Sequence, residues 1–394
     1  MDNIKSVLML IQSFSPAIGG AEKQALELSR SLVSRGIRVT VVTRRIGGSA
    51  AEELMDGVRV IRLASAGQGV LNTFLFMAGS FFYLLKHASE YELVHVHLAS
   101  SHAVAALLAG RFTGRRTLIK LADGKEQNEI TLSRKTFLGR LKLKFFQFAG
   151  PRLMVLNGEV FDWLKSDAQF AGLRLIRFRN GVDTLKYAPP LYQEKISAKA
   201  ALGFDNTPIF LFVGRLDPKK RIKEFVELWA GLFAEERVKP RIRLVIAGTG
   251  PEEGPIREAV ASLGLKESVT LAGLQHDLLP YYRAADVFIL PSIAEGLSNS
   301  MLEAMSSGLA IMASRVGGAR EAVIEGENGC LFDPFNRAEI KECLRRHIAD
   351  RSLAVRMGER SREIAVKTYS MAKVTDDLLE IYGEPIYVRN LRKI

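Results

Sequence analysis

Along the chain, short runs that are apolar at nearly every position alternate with longer stretches showing the 3.6-residue period of one-faced helices. In the first half the runs are Ser6–Gln12, Ile37–Thr43, Val58–Leu63, Leu93–Leu98 and Leu118–Leu121. In the second half they are Ile209–Val213, Ile242–Ala247, Val269–Ala272, Val287–Leu290, Leu309–Ala313 and a short Cys330–Phe332. Strands without a polar face are buried on both sides, and strands separated by helices need crossover connections, so each half predicts a parallel sheet covered by helices. The fold class is therefore α/β with two doubly wound, Rossmann-like domains. The boundary falls at Asn180-Gly181-Val182-Asp183 and the following Pro189-Pro190, where turn and breaker residues interrupt the alternation. This divides the chain into 1–182, 183–369 and a last helical segment, 370–394.

Two stretches in the first half depart from an ordinary amphipathic pattern. Val70 to Leu85 is apolar nearly all round, broken only by Asn72, Thr73 and Ser80. It falls short of the roughly 20 residues that span a bilayer, which leaves a buried helix or a face set partly into a membrane. Ser133 to Ala149 reads as one basic amphipathic helix, with Arg134, Lys135, Arg140, Lys142 and Lys144 among Leu138, Leu141, Leu143, Phe145, Phe146 and Phe148. Such a helix suits either a membrane surface or a core-facing position with a solvated basic side.

Charge sharpens this picture. The chain has 394 residues and a formal charge of +12. Residues 1–185 carry 25 Lys and Arg against 15 Asp and Glu, so nearly all the excess lies in the first half. No nucleic-acid motif accompanies these cations, so an anionic membrane or a lipid phosphate is the better partner, and no nucleic acid is expected. Cys330 and Cys343 have neither metal-ligand nor disulfide-framework spacing, which points to a reducing compartment. The first strand begins almost at Met1, leaving no room for a secretory signal, so a cytoplasmic protein is expected, at most held to the inner face of the membrane. His95 and His97 share a strand face, but only His102 stands near them, too few ligands for zinc, and no metal is expected.

The chemistry concentrates in 287–318. A buried strand stops at Pro291, a small-residue loop carries Glu295, and a helix capped by Ser298 or Asn299 carries Glu303 before Gly308 ends it. Unpaired N–H groups at that helix start suit a phosphate, and the two carboxylates, eight residues apart, can face one ligand. After the first strand of the second half, Gly214-Arg215-Leu216-Asp217-Pro218-Lys219-Lys220 sets two cations five residues apart, enough to grip both phosphates of a diphosphate. Gly19-Gly20 abuts a helix start from Ala21 and allows close backbone approach to an anion. Gly248-Thr249-Gly250-Pro251 with Gly254 mimics a dinucleotide fingerprint. A nicotinamide-dependent oxidoreductase would then need an acidic residue about 20 positions on, and Ser268–Ala272 has none, so that reading fails. His97 lies near the C-terminal end of its strand, where doubly wound sheets place ligands, and Asp123 begins an Asp-Gly turn after the strand that follows.

Glu-Gly-Leu-Ser-Asn-Ser-Met-Leu-Glu-Ala-Met, residues 295–305, resembles the signature of the family 4 retaining glycosyltransferases (glycosyl transferases group 1), which have the GT-B fold: two Rossmann-like domains facing across a cleft. The resemblance spans essentially the whole chain. It implies an acceptor-binding first domain, a nucleotide-sugar-binding second domain and a last helix that returns to the first. It implies that Glu303 binds the ribose, that Glu295 lies against the transferred sugar, and that Gly296, Leu297, Ser298 and Asn299 approach the diphosphate. Arg215 and Lys220 would neutralise the leaving diphosphate without a metal cofactor, Leu274 would edge the base, and Gly250, Gly19 and Gly20 would complete the donor site. Glu295, Arg215 and Lys220 are thus the catalytic candidates. His97 and Asp123 are candidates for acceptor or sugar contacts. Two positions depart from the family pattern: Ala122 or Asp123 stands where many relatives have histidine, and Arg221 where they often have glycine. The implied reaction moves a hexose-type sugar from a nucleoside-diphosphate sugar to an acceptor hydroxyl, on a lipid-linked or membrane-associated glycan of surface polysaccharide synthesis. The competing class is a catalytically silent relative serving as a binding subunit.

Overall fold

The computed structural model describes residues 4–384 except Ile18, 65–68, Asp123, 126–127, Ala171 and 236–240. The predicted contact at Asp123 and the tail from Pro385 onward lie outside the described residues. The chain divides into two compact units, one comprising residues up to Gly181 and again from Met371, the other Val182–Ser370.

The first unit is built on an eight-stranded sheet. Its strands are β1 (Ser6–Leu10), β2 (Arg38–Arg44), β3 (Glu52–Met55), β4 (Val58–Leu63), β5 (Leu93–His97), β6 (Arg116–Lys120), β7 (Arg152–Val155) and β8 (Arg174–Arg177). Their order is β3-β4-β2-β1-β5-β6-β7-β8. Every pairing is parallel except β3 with β4, a hairpin closed by Asp56-Gly57 with both residues at positive φ. The apolar pattern misses β3, β7 and β8. The two edge strands, β3 and β8, carry Glu52 and Glu53 or Arg174 and Arg177, the charged side chains that protect sheet edges from further pairing.

One face of this sheet packs Leu8, Leu10, Val94, Val96 and Ile119 against Phe76, Ala103, Ala106, Leu143 and Phe146 of the covering helices. The helices Gly20–Val33 and Met371–Gly383 pack together elsewhere in the same unit. Arg35 donates to the Ala372 carbonyl (2.8 Å) and to Asp376, and the Thr375 hydroxyl meets that of Ser31 (2.8 Å).

One expectation needs correction here. Ser133–Ala149 is not one helix but the end of Glu129–Arg134 and all of Phe137–Ala149. The Asn128 side chain caps the first at Ile130 and Thr131, and the Thr136 hydroxyl caps a fresh start at Gly139, so local side-chain bonds win over helix continuity. Val70–Lys86 turns Asn72, Phe76, Ser80 and Leu84 inward and leaves Val70, Leu71, Phe74 and Phe82 exposed, the reverse of an ordinary core helix. It packs on the alanine-rich helix Ser101–Thr113, with Phe76 edge-on to His102 at 5.8 Å between ring centroids. No described helix is long and apolar enough to cross a membrane.

The second unit holds a fully parallel six-stranded sheet: β9 (Ile209–Val213), β10 (Arg243–Ala247), β11 (Val269–Gly273), β12 (Val287–Leu290), β13 (Ala310–Ser314) and β14 (Gly329–Phe332). The order is β11-β10-β9-β12-β13-β14, so strand order reverses between β9 and β12. That reversal opens a crevice at the carboxyl ends of the strands, the place where such sheets receive ligands. Beneath it, every side chain of β9, β12 and β13 is buried, with Trp229, Phe210, Phe288 and Tyr282 filling the largest volumes.

The cysteines are also corrected. Cys330 on β14 and Cys343 on the helix Arg337–Ala349 form a disulfide with Cα atoms 6.1 Å apart. The Asn336 side chain caps that helix at Ala338 and Glu339, folding it back on β14 and bringing together residues 13 apart. The argument for a reducing compartment rested on unpaired thiols and falls with them.

Candidate functional site

Four loops leave the carboxyl edge of the second sheet, and backbone contacts lock them to one another. Leu216 N donates to Thr249 O (3.0 Å) and Glu252 N to Leu216 O (3.0 Å), joining the exits of β9 and β10. A Cβ at Gly248 would lie 1.9 Å from the Gly214 carbonyl oxygen, and one at Gly250 2.5 Å from that of Leu216, so only glycine fits. Ile293 N donates to Lys219 O (2.9 Å), tying the exit of β12 to the same loop. Gly318 N donates to Gly296 O (2.6 Å), and a Cβ at Gly317 would meet the Glu295 carbonyl oxygen at 1.9 Å. The sequence reading assigned no role to Gly317 or Gly318; their signal is a Gly-Gly pair at a strand exit, which only the fold brings under Glu295.

On this frame the charged groups divide by exposure. The Lys220 ammonium donates to Glu295 Oε1, and both side chains are largely buried, 14% and 10% exposed. A buried ion pair of this kind carries a large desolvation cost and persists only with good geometry. Arg215 is different: its side chain is 73% exposed, with Nε 3.2 Å from Asp217 Oδ2, and its guanidinium remains open to solvent. Ser298 caps the helix Asn299–Ser306 by accepting from Met301 N (3.3 Å). Leu297 is buried and packs against Gly318.

Glu303 is buried on that helix beside Tyr282. Burial first, then the Glu303 charge, push the Tyr282 phenol well above its ordinary range, so it stays protonated with Ser300 O (3.3 Å) and Glu303 in reach. Tyr282 was not singled out in the sequence, where it reads only as one apolar position of a short helix. Leu274 is about half exposed, next to Gly273, whose carbonyl accepts from Gly248 N (2.8 Å).

The carboxyl edge of the first sheet is furnished otherwise. Gly19, extended at φ −176°, precedes the helix Gly20–Val33 without a side-chain cap. Gln24 on this helix bonds Gly181 twice, Nε2 to O at 2.6 Å and Oε1 from N at 3.0 Å. His97 is only 2% exposed and stacks on His95 with ring centroids 4.4 Å apart. The Nε2 atoms of both rings are buried without a described hydrogen-bond partner, while His95 Nδ1 lies 2.7 Å from the Tyr382 hydroxyl. Burial pushes His95 down to about 3, His102 to about 4, and His97 well below the usual range, so all three are neutral at pH 7. Beside His97 in the register, Lys120 donates to Asn180 Oδ1 (2.8 Å), and burial lowers its ammonium to about 7. Lys120 went unread in the sequence, and Asn180 was read only as a turn residue of the domain boundary. Among the described residues, no group of three or more His, Cys, Asp and Glu side chains is placed to hold a metal ion.

Comparison with known proteins places this geometry. A family model described as Glycosyltransferase Family 4 matches residues 18–184, and one described as Glycosyl transferases group 1 matches residues 194–364. The chain is 30% identical over 300 residues to an alpha-D-kanosaminyltransferase of Streptomyces kanamyceticus, covering 74% of this chain and 77% of that protein. It is 27% identical over 392 residues to a D-inositol 3-phosphate glycosyltransferase of Corynebacterium glutamicum, covering 95% and 93%. Among solved structures it is similar to Anabaena Alr3699/HepE in complex with UDP, with a TM-score of 0.76, 20% identity and coverage of 96% and 99%. With both halves matched and the two parallel sheets of the GT-B fold in place, the chain belongs to glycosyltransferase family 4 and is a nucleotide-sugar-dependent transferase.

Proposed function

We propose that this enzyme transfers a hexose-type sugar from a nucleoside diphosphate to an acceptor hydroxyl with retention of configuration and without a metal. The observation that carries the reading is the buried Lys220–Glu295 pair at the strand-order reversal, five residues from an exposed Arg215 on the same glycine-locked loop. An arriving diphosphate gives Lys220 a second anion and draws in Arg215, so the charge of the leaving group is met by groups already in position. Ser298, Asn299 and the amides of Gly296 and Leu297 supply further donors, and Glu295 faces the positive charge that develops on the sugar ring. Glu303, steadied by Tyr282, takes the ribose, and Leu274 edges the base. His97 acts by holding the end of β5, since its ring is covered.

The acceptor we assign to the first unit is lipid-linked or membrane-associated, as in surface polysaccharide assembly. Val70, Leu71 and Phe74 on one helix and Phe137, Leu138 and Leu141 on another are all more than half exposed, with Arg140 and Lys144 exposed beside the second group. Apolar side chains flanked by cations on a strongly basic unit suit the anionic cytoplasmic face of a membrane. A soluble phosphorylated acceptor is the second reading, favoured by the near-complete coverage of the D-inositol 3-phosphate glycosyltransferase. A thermal-shift screen with UDP, GDP, ADP and dTDP on the wild type and Glu303→Ala tests the donor side. One diphosphate should raise the midpoint in the wild type only; equal shifts in both proteins would remove the ribose role of Glu303.

A further inference from the structure

We infer that Arg221 and Phe335 form a clamp that positions Lys220 for the diphosphate, which makes Arg221 a positioning residue of the reaction. The inference rests on the donor-site reading above. Arg221 follows Lys220 directly and sits at φ +53°, a left-handed backbone that disfavours any side chain except glycine. Something must hold it there. Its guanidinium lies over the Phe335 ring, 4.7 Å from the centroid, and Nη1 is 3.5 Å from Glu224. A guanidinium over an aromatic face is attracted by the ring quadrupole, and the contact strengthens as water is displaced. The Arg221 side chain is correspondingly covered, 22% exposed.

Phe335 has no role in the core, being 67% exposed. It projects from the turn after β14, where Asp333 Oδ1 accepts from Phe335 N (2.8 Å) and Asp333 O from Asn336 N (3.0 Å). The ring is therefore mounted on a fixed turn at the far edge of the sheet. The loop carrying Lys220 is held on one side by Ile293 N donating to Lys219 O, and by its own Arg221 N to Pro218 O bond (3.1 Å). These bonds fix the backbone near Lys219, and the Arg221 carbonyl accepts from Phe225 N (3.0 Å) at the start of the helix Ile222–Glu235. The Arg221 side chain adds an anchor on Phe335, which follows β14, three strands from β9 in the sheet order. Residue 220 is thus pinned from both sides, with its ammonium on Glu295 and in place to take a second anion. The clamp acts on the diphosphate through Lys220 and touches neither base nor ribose.

The test is calorimetric titration of wild type, Arg221→Gly, Phe335→Ala, their double variant, Phe335→Tyr and Lys220→Met with four probe pairs: UDP with UMP, GDP with GMP, ADP with AMP and dTDP with dTMP. For the pair that binds, Arg221→Gly and Phe335→Ala should each weaken the diphosphate about five- to tenfold while the monophosphate stays within twofold. The double variant should be no worse than Arg221→Gly alone, because contacting residues are non-additive. Phe335→Tyr, which keeps the ring face, should behave as wild type. Arg221→Gly relieves a strained backbone and Phe335 is at the surface, so both variants fold. A diphosphate affinity within twofold of wild type in both would overturn the clamp, as would equal losses for diphosphate and monophosphate. If Lys220→Met left diphosphate binding intact, or no pair bound the wild type, the donor-site reading itself would fail and take the clamp with it.

Discussion

The carboxyl edges of the two sheets are alike in topology and opposite in furnishing. Both sheets reverse strand order, at β1/β5 in the first and β9/β12 in the second, so each offers a crevice of the same kind. The second fills it with charge close to solvent: Lys220 on Glu295, an open Arg215, and loops that meet backbone to backbone through glycine. The first fills it with neutral stacked imidazoles and a buried lysine that has an amide, Asn180, as its hydrogen-bond acceptor. Most of its exposed apolar side chains lie on helices beside the sheet. Topology supplies a place for a ligand; side chains decide whether that ligand is an anion or something greasy.

The largest expected effect lies on the charged edge. Lys220→Ala removes the partner of a buried carboxylate and, in the proposed function, a donor to the diphosphate. Transfer measured as kcat/KM should fall about 100- to 1,000-fold, the usual loss when one transition-state donor is removed. Rates within threefold of wild type would break the contrast between the two edges. Next comes the frame. Gly317→Ala forces a Cβ to 1.9 Å from a carbonyl oxygen at φ +50°, and should destabilise by about 3 kcal/mol in denaturant unfolding. Gly36→Ala, at φ +78° with nothing within 4 Å, serves as the control and should cost only about 1 kcal/mol.

A smaller effect separates the units by pH. Lys120 titrates near 7 in the folded protein and near 10.4 unfolded, so between those values the unfolded chain binds more protons. Its contribution therefore makes stability rise with pH across that window. Lys142, lowered to about 8 by burial, adds the same sign. Lys120→Met should flatten the rise measured by urea unfolding at pH 7 and pH 9; an unchanged slope would mean that Lys120 is charged in place. His95 and His102, lowered to about 3 and 4, should cost stability as pH falls from about 6.5 toward those values. The smallest effect concerns the apolar helices. Phe74→Glu with Leu138→Glu should cut sedimentation with anionic phosphatidylglycerol vesicles at low salt about tenfold without lowering Tm, each lost apolar side chain weakening membrane contact. Wild-type protein that ignored those vesicles would favour the soluble phosphorylated acceptor.

The strands of the second sheet were legible to within a residue or two because burial on both faces writes them as unbroken apolar runs. The edge strands β3 and β8 were not, since their charges answer to negative pressure against further pairing rather than to a core. The break at Lys135–Thr136 was hidden because two capping side chains decide it, and hydrophobic period does not register caps. Of the candidate site, the cations and carboxylates were readable from local spacing. Tyr282, Gly317, Lys120 and the Cys330–Cys343 pair were not, because each acquires its role only from a distant segment.

The second unit begins and ends side by side. Val182 N donates to Tyr369 O at 2.8 Å and Val182 bridges Ser370, so 182–370 is a closed insertion within the other unit. During synthesis from the N-terminus, this insertion has all its strands before the first unit has all its helices. Until Thr375 and Tyr382 emerge from the ribosome, Ser31 and His95 have no partner on the last helix. Domains fold as units as they emerge. The nascent chain therefore completes its inner half first, and the half that begins the polypeptide is the last to close.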